Sequence, residues 1–188
     1  MQALSQCKIV LDVGGGSRFM KGMKEYEPLF VNCDYKTFDV SADYQPDVVG
    51  DIHAIPCATA SINGVICRSV LEHVERPHDA VREMHRVLSP GGLLFIQVPS
   101  IYPYHARKGF GGYPDYWRFF EDSLRLMLKD FSEVTLQKHG GWFQLISFFL
   151  PLQAHLRWFL NPVCYALDQL FQTAHRTNTS FYSILAKK

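Results

Sequence analysis

Runs of aliphatic and β-branched residues recur along the chain, and each stops at glycine, proline or an acid. Residues 8–13, Lys-Ile-Val-Leu-Asp-Val, lead straight into Gly14-Gly15-Gly16-Ser17, the pattern of a buried parallel strand feeding a tight turn. Residues 29–33, Leu-Phe-Val-Asn-Cys, form a second apolar run that closes on Asp34. Further strand patterns follow at 47–51, 62–67, 93–98, 134–138 and 181–186. Between them, 77–88 is an amphipathic helix: Ala80, Val81, Met84, Val87 and Leu88 share one stripe, Pro77 suits the first turn, and Ser89-Pro90-Gly91-Gly92 stops it. Residues 121–131 read as another helix, with Glu121 and Asp122 in the first turn and Leu124, Met127, Leu128 and Phe131 on one face. Strands alternating with helices predict a doubly wound α/β sheet.

At 188 residues the most economical organisation is a single domain over 1–188, long enough to bury a sizeable core. Nineteen basic against eighteen acidic side chains give no global field for nucleic acid or an acidic membrane, so no nucleic-acid partner is expected. Five scattered cysteines without a C-x-x-C pair read as free thiols in a reducing compartment, and no metal site is assigned. The first residues show no basic-then-apolar secretory pattern, which makes the cytoplasm the expected location.

The glycine turn carries the first chemistry. An acid closing the second strand, twenty positions after Gly14, is where such a sheet holds a ribose, and this nominates Asp34 and a nucleoside-containing cofactor. A dinucleotide site requires G-x-G-x-x-G, because its third glycine lets helix and strand approach around the pyrophosphate. Here the third position is Phe19, which argues against NAD or FAD but does not trouble a cofactor without phosphates.

Asp12-x-Gly14-x-Gly16 resembles the first motif of the class I S-adenosylmethionine-dependent methyltransferases, type 11 group. Arg86-Val87-Leu88-Ser89-Pro90-Gly91-Gly92-Leu93-Leu94 is the most specific further likeness, and 114–119, Pro-Asp-Tyr-Trp-Arg-Phe, resembles a block of the type 11 group. The resemblance covers about residues 8–140. It implies a Rossmann-like, seven-stranded, mostly parallel sheet with an antiparallel last strand, lacking the family's usual N-terminal helices, and with S-adenosyl-L-methionine as cofactor. It also implies that Asp51 receives the adenine amino group while Ile52 packs on the ring. The segment 68–74, from Arg68 and Ser69 to Glu72 and His73, resembles the motif beside the cofactor's methionine end.

Residues 100–120 combine aromatics with Gly109, Gly111 and Gly112 and read as a lid over the acceptor. The sulfonium already activates the methyl group, so a base matters only for a hydroxyl or protonated amine acceptor. His105 is the first candidate, with Tyr104, Asp115 and Glu72 behind it. Residues 142–171 contain only Arg157 and Asp168 as formal charges, yet Pro151, His155, Arg157, Asn161 and Pro162 interrupt them too often for a membrane span. This apolar insert is expected to pack on the sheet or form a homodimer surface, with interfacial membrane contact less favoured, and to help wall the acceptor pocket. The expected function is methyl transfer to a small-molecule, glycan or lipid-linked acceptor. The alternatives are a catalytically inactive methyltransferase-like interaction protein and an NAD oxidoreductase.

Overall fold

The computed structural model describes residues 1–20, 22–150, 153–173 and 179–188, and within the last long helix nothing is said of the side chains at 153, 154 and 157. Seven strands form one sheet: β1 Ile9–Val13, β2 Asp34–Asp39, β3 Val48–Val49, β4 Ile62–Arg68, β5 Leu88–Pro99, β6 Glu133–His139 and β7 Phe181–Lys187. Their spatial order is β3-β2-β1-β4-β5-β7-β6. β1 to β5 pair in parallel, whereas β7 runs antiparallel to both β5 and β6. The expected α/β sheet with an antiparallel last strand is therefore present.

Among the described residues four α-helices accompany the strands: α1 Pro77–Val87, α2 Glu121–Met127, α3 Trp142–Ser147 and α4 Gln153–Leu170. α1 buries the stripe read from the sequence, Ala80, Val81, Met84 and Val87, against Val65, Leu94 and Ile96 of β4 and β5. Those β4 and β5 residues lie at or near complete burial, as strands covered on both faces do. Arg86 ties α1 to the segment after β3, donating to the carbonyls of Ile55 and Cys57 and to Glu83.

The second strand departs from expectation. Residues 24–30 form a 3-10 helix containing Pro28, and β2 begins only at Asp34. The physical reason is burial: of the apolar residues at 29–31 only Phe30 is inside, while Val31 is 73 % exposed. Tyr35, Thr37, Phe38 and Asp39 supply the buried positions instead. Asp34 thus starts β2, opposite Ile9, instead of ending it.

The insert over 142–171 is helical, with α3 and α4 packed on one another, and Pro162 lies inside α4 without ending it. Pro151 falls outside the described residues. α4 does not lay its apolar residues onto the sheet: Leu156, Trp158 (77 % exposed), Phe159, Tyr165 and Leu170 all face outward. Among the described residues no helix is long and apolar enough to cross a membrane.

Candidate active site

At the carboxyl end of β1 the backbone turns through Gly14 (φ 69°) and Gly16 (φ 67°). A side chain at Gly14 would meet Val70 Cγ2 at 2.3 Å, and one at Gly15 would meet Asp12 Oδ2 at 2.3 Å, so both approaches require bare backbone. Asp12 is buried beneath this turn, accepting the Tyr35 hydroxyl at 2.6 Å. Burial, with the Asp12 carboxylate behind it, raises the Tyr35 pKa. Asp12 supports the turn from below and lines neither of the cavities described next. Phe19, the residue that breaks the dinucleotide pattern, stacks on Tyr35 with ring centroids 4.5 Å apart and so anchors the same turn to the core.

Two adjoining cavities open at this end of the sheet. The first, about 430 Å³, is lined by Gly14, Asp39, Asp51, Ile52 and Ser69, with His53, Val70, Tyr113 and others around them. The second, about 550 Å³, is lined by Gly16, Glu72, Gln97, His105, Arg107, Phe148 and others. Tyr44, Ser69, His73 and Tyr113 belong to both, so they form the partition between them.

Asp39, at the tip of β2, is the acid the sequence pattern was seeking at Asp34. Its Oδ2 accepts the Gly16 amide at 3.1 Å and its Oδ1 accepts the Ser41 amide at 3.0 Å, which fixes the carboxylate beside the glycine turn. Asp34 lies at the other end of the same strand, exposed and 3.5 Å from Lys36. Asp34 is therefore corrected to a surface residue. The clues for Asp39 were in the sequence: Pro28 argues against a strand at 29–33, whereas Tyr35, Thr37 and Phe38 favour one ending at Asp39.

Asp51 stands at the rim of the first cavity, accepting the His53 amide at 2.9 Å. That bond, with the His53 ring beside it, holds its pKa below the usual carboxylate value. Ile52 is buried next to it, and Ser69 sits in a left-handed conformation (φ 50°) immediately after β4, its amide bonded to the Gln97 carbonyl.

The second cavity holds the ionisable groups. Glu72 lies in the one-turn 3-10 helix Leu71–His73 and is 1 % exposed. Its Oε1 is 3.8 Å from His73 Nε2 and 3.9 Å from His105 Nε2. Asp115 accepts the His105 amide at 2.8 Å and faces His105 Nδ1 at 3.2 Å, while Arg118 donates to both of its oxygens at 2.6 and 2.8 Å. The Arg118 guanidinium holds the Asp115 carboxyl at about 2. The Glu72 carboxylate raises His105 above its ordinary value, whereas burial lowers His73. Tyr104 does not join this group: it is 77 % exposed and lines neither cavity, so its candidacy is withdrawn.

The lid closes over both spaces. Arg107 and Tyr113 exchange backbone hydrogen bonds, and the turn between them docks on residues 43–44, where Asp43 accepts the Gly111 amide and the Tyr44 hydroxyl donates to its carbonyl. From the insert, Phe148 reaches the second cavity and meets Tyr102 edge to face at 5.2 Å. Sequence reasoning did not single out Tyr44 for the cavity walls, since only the lid's docking brings it there, whereas Arg107 lies in the segment read as a lid and Phe148 in the insert expected to help wall the acceptor pocket.

The residues of the first cavity fit a phosphate-free nucleoside cofactor. The glycine turn leaves room where a Cβ would intrude, Asp39 can accept from a ribose, and Asp51 with Ile52 offers an acceptor beside an apolar surface.

Residues 11–96 match the family model of the type 11 methyltransferase domain. Over 52 residues, 28 % of this chain and 15 % of the relative, the sequence is 43 % identical to an uncharacterized protein of transposon TN4556 from Streptomyces fradiae. Among solved structures, a SAM-dependent methyltransferase from Archaeoglobus fulgidus superposes with a TM-score of 0.65 at 15 % identity, covering 98 % of this chain and 88 % of that one. Phosphoethanolamine N-methyltransferase 2 of Haemonchus contortus, in complex with S-adenosyl-L-methionine, gives 0.61 at 14 % identity over 96 % of this chain and 48 % of that one. With its sheet order, its glycine turn and the domain matched over residues 11–96, the chain has the fold of the S-adenosylmethionine-dependent methyltransferases on which it superposes.

Proposed function

We propose that the protein transfers a methyl group from S-adenosyl-L-methionine, held in the first cavity, to a small acceptor held in the second. The observation that carries this reading is the shared partition: Ser69 and His73 face both spaces, so a cofactor on one side and an acceptor on the other meet there. In this reading Gly14 and Gly16 admit the amino acid end, Asp39 receives the ribose hydroxyls, Asp51 receives the adenine amino group and Ile52 packs on the ring. The bound cofactor supplies an electrophilic methyl group. The chain's own contribution is to align the acceptor and exclude water.

His105 is the group placed to take a proton from the acceptor, through Nε2. Asp115 is its positioning residue, because it holds both the backbone and Nδ1 of His105, and Glu72 favours the charged imidazole. Tyr102, Phe148 and Phe181 make the second cavity largely aromatic, which favours an acceptor with an apolar body, whether a small molecule or the tail of a lipid-linked one. The exposed apolar side of α4 supports the lipid-linked form of this reading.

Calorimetric titration with S-adenosyl-L-methionine and with its demethylated product tests the cofactor half. One site per chain is expected, and no binding of either would overturn the proposal. Radiolabelled methyl transfer to a panel of hydroxyl and amine acceptors then tests the second half. His105→Gln should lower turnover by about 100-fold with cofactor affinity unchanged.

A further inference from the structure

Glu72 Oε1, His73 Nε2 and His105 Nε2 converge on one another, and with both imidazoles neutral and protonated on Nδ1 they point three electron pairs at one spot. The nearest ligand atoms of the three side chains all lie within 4.8 Å of each other. His73 Nδ1 is 2.5 Å from the Pro114 carbonyl, which only accepts, so Nδ1 carries the proton and Nε2 keeps its lone pair. His105 Nδ1 faces two acceptors, the Pro103 carbonyl at 3.1 Å and Asp115 Oδ2 at 3.2 Å, while the one donor nearby, Arg118, stands farther off at 3.5 Å and is engaged by those same two acceptors at 2.8 Å each. Its proton therefore sits on Nδ1 and its Nε2 lone pair is likewise turned to Glu72. The second oxygen of the Glu72 carboxylate, Oε2, is buried with no hydrogen-bond partner among the described residues. A buried, unsatisfied carboxylate oxygen is costly unless positive charge is brought to it.

Two imidazoles and a carboxylate, each imidazole fixed through its other nitrogen by a carboxylate or a backbone carbonyl, constitute the first and second coordination layers of a transition-metal site. We propose that Glu72, His73 and His105 bind one divalent transition-metal ion on the wall between the two cavities, and that a heteroatom of the acceptor completes its coordination. Metal–ligand distances of about 2.0–2.1 Å place neighbouring ligands about 3.4 Å apart in a tetrahedral set, so the 3.8 and 3.9 Å spacings to Glu72 need to tighten by roughly half an ångström, and the two histidines, within 4.8 Å of each other, by up to about 1.4 Å. His105 lies on the lid loop, where such a shift is small. The imidazole ligands favour zinc, copper, iron or nickel over calcium, magnesium or manganese. The ion would hold the acceptor's heteroatom in front of the partition and lower its pKa. With the ion bound, His105 is a ligand instead of the group that takes the proton.

The role given to the ion rests on the reading of the second cavity as the acceptor's place; the site itself does not. The test takes the full chain, stripped with EDTA, and titrates it with zinc by calorimetry and with cobalt by visible absorption, alongside S-adenosyl-L-methionine. One ion per chain is expected, with affinity lowered at least 100-fold in Glu72→Gln and in His105→Ala, and about tenfold in Asp115→Asn. His105→Ala, on the lid loop, serves if the buried Glu72 variant fails to fold. Absence of stoichiometric ion binding while S-adenosyl-L-methionine still binds overturns the metal site and leaves His105 as the base. An ion bound with unchanged affinity in Glu72→Gln and His105→Ala overturns it as well. An ion bound by these residues without any binding of S-adenosyl-L-methionine supports the site and overturns the proposed function instead.

Discussion

Asp34 and Asp39 stand at opposite ends of one strand, and that separation decides which of them meets a ligand. A carboxylate that accepts two ribose hydroxyls contributes roughly 1.5–3 kcal/mol per charged hydrogen bond, so Asp39→Ala should weaken S-adenosyl-L-methionine binding by about 100-fold or more. Asp34→Ala should leave the affinity unchanged in the same calorimetric titration. The glycine turn makes a second residue-scale prediction. Gly14→Ala adds a methyl in the left-handed region against Val70 and should lower stability by about 2 kcal/mol, read as a lower denaturant midpoint. The turn itself was legible in the sequence because glycine punctuates an apolar run. The acid proposed for the ribose was misplaced by one strand end because an apolar run at 29–33 looks like a strand until its exposure is known. The convergence of His73 and His105 on Glu72 was not legible at all: the lid that carries His105 lies some thirty residues further along, and its path depends on Asp115, Arg118 and the docking of Gly111 on Asp43.

Among the elements, the α3–α4 pair shows how sequence oddity becomes structure. Asp168, near the end of α4, is almost wholly buried and caps the start of α3, accepting the amides of Gly141 at 3.1 Å, Phe143 at 2.9 Å and Gln144 at 3.1 Å, and the Thr173 hydroxyl. One carboxylate thus satisfies three of the amides that a helix N-terminus leaves open. In the sequence Asp168 was only one of two charges in an apolar stretch. Its partner amides are some twenty-five residues upstream, so no local pattern announces the cap. Asp168→Ala should destabilise the pair by about 2–3 kcal/mol and raise amide hydrogen exchange in α3 while β4 and β5 stay protected. Because Phe148 follows α3 into the second cavity, the same variant should raise the KM for the acceptor more than it changes cofactor affinity. α1, by contrast, was readable almost to the residue, since its stripe, its N-terminal proline and its glycine stop all act within a few positions of one another.

The molecule as a whole divides its work along the sheet. The parallel half, β1 to β5, carries the turn, both cavity acids and Glu72; the antiparallel half, β7 and β6, adds area and supports the insert. β7 comes some eighty residues after β5, yet it lies between β5 and β6 and pairs along its whole length with each. Removing residues 181–188 should leave β6 without a partner and the flank of β5 open, and yield aggregated protein on size-exclusion chromatography, even though no residue of the proposed cofactor cavity is lost. The alternating pattern of β6 and β7 was legible; their spatial order was not, because period-two alternation says which face is buried and nothing about the neighbour.

The late arrival of β7 also sets a schedule for the nascent chain. On the ribosome β5 emerges well before the strand that will flank it, and for about eighty residues of synthesis its open flank is available to other polypeptides. Closure waits for a long-range pairing, which is slow to form. The sheet therefore closes only after residues 181–187 have emerged, and anything that shields β5 during that interval would raise the share of chains that reach the folded state.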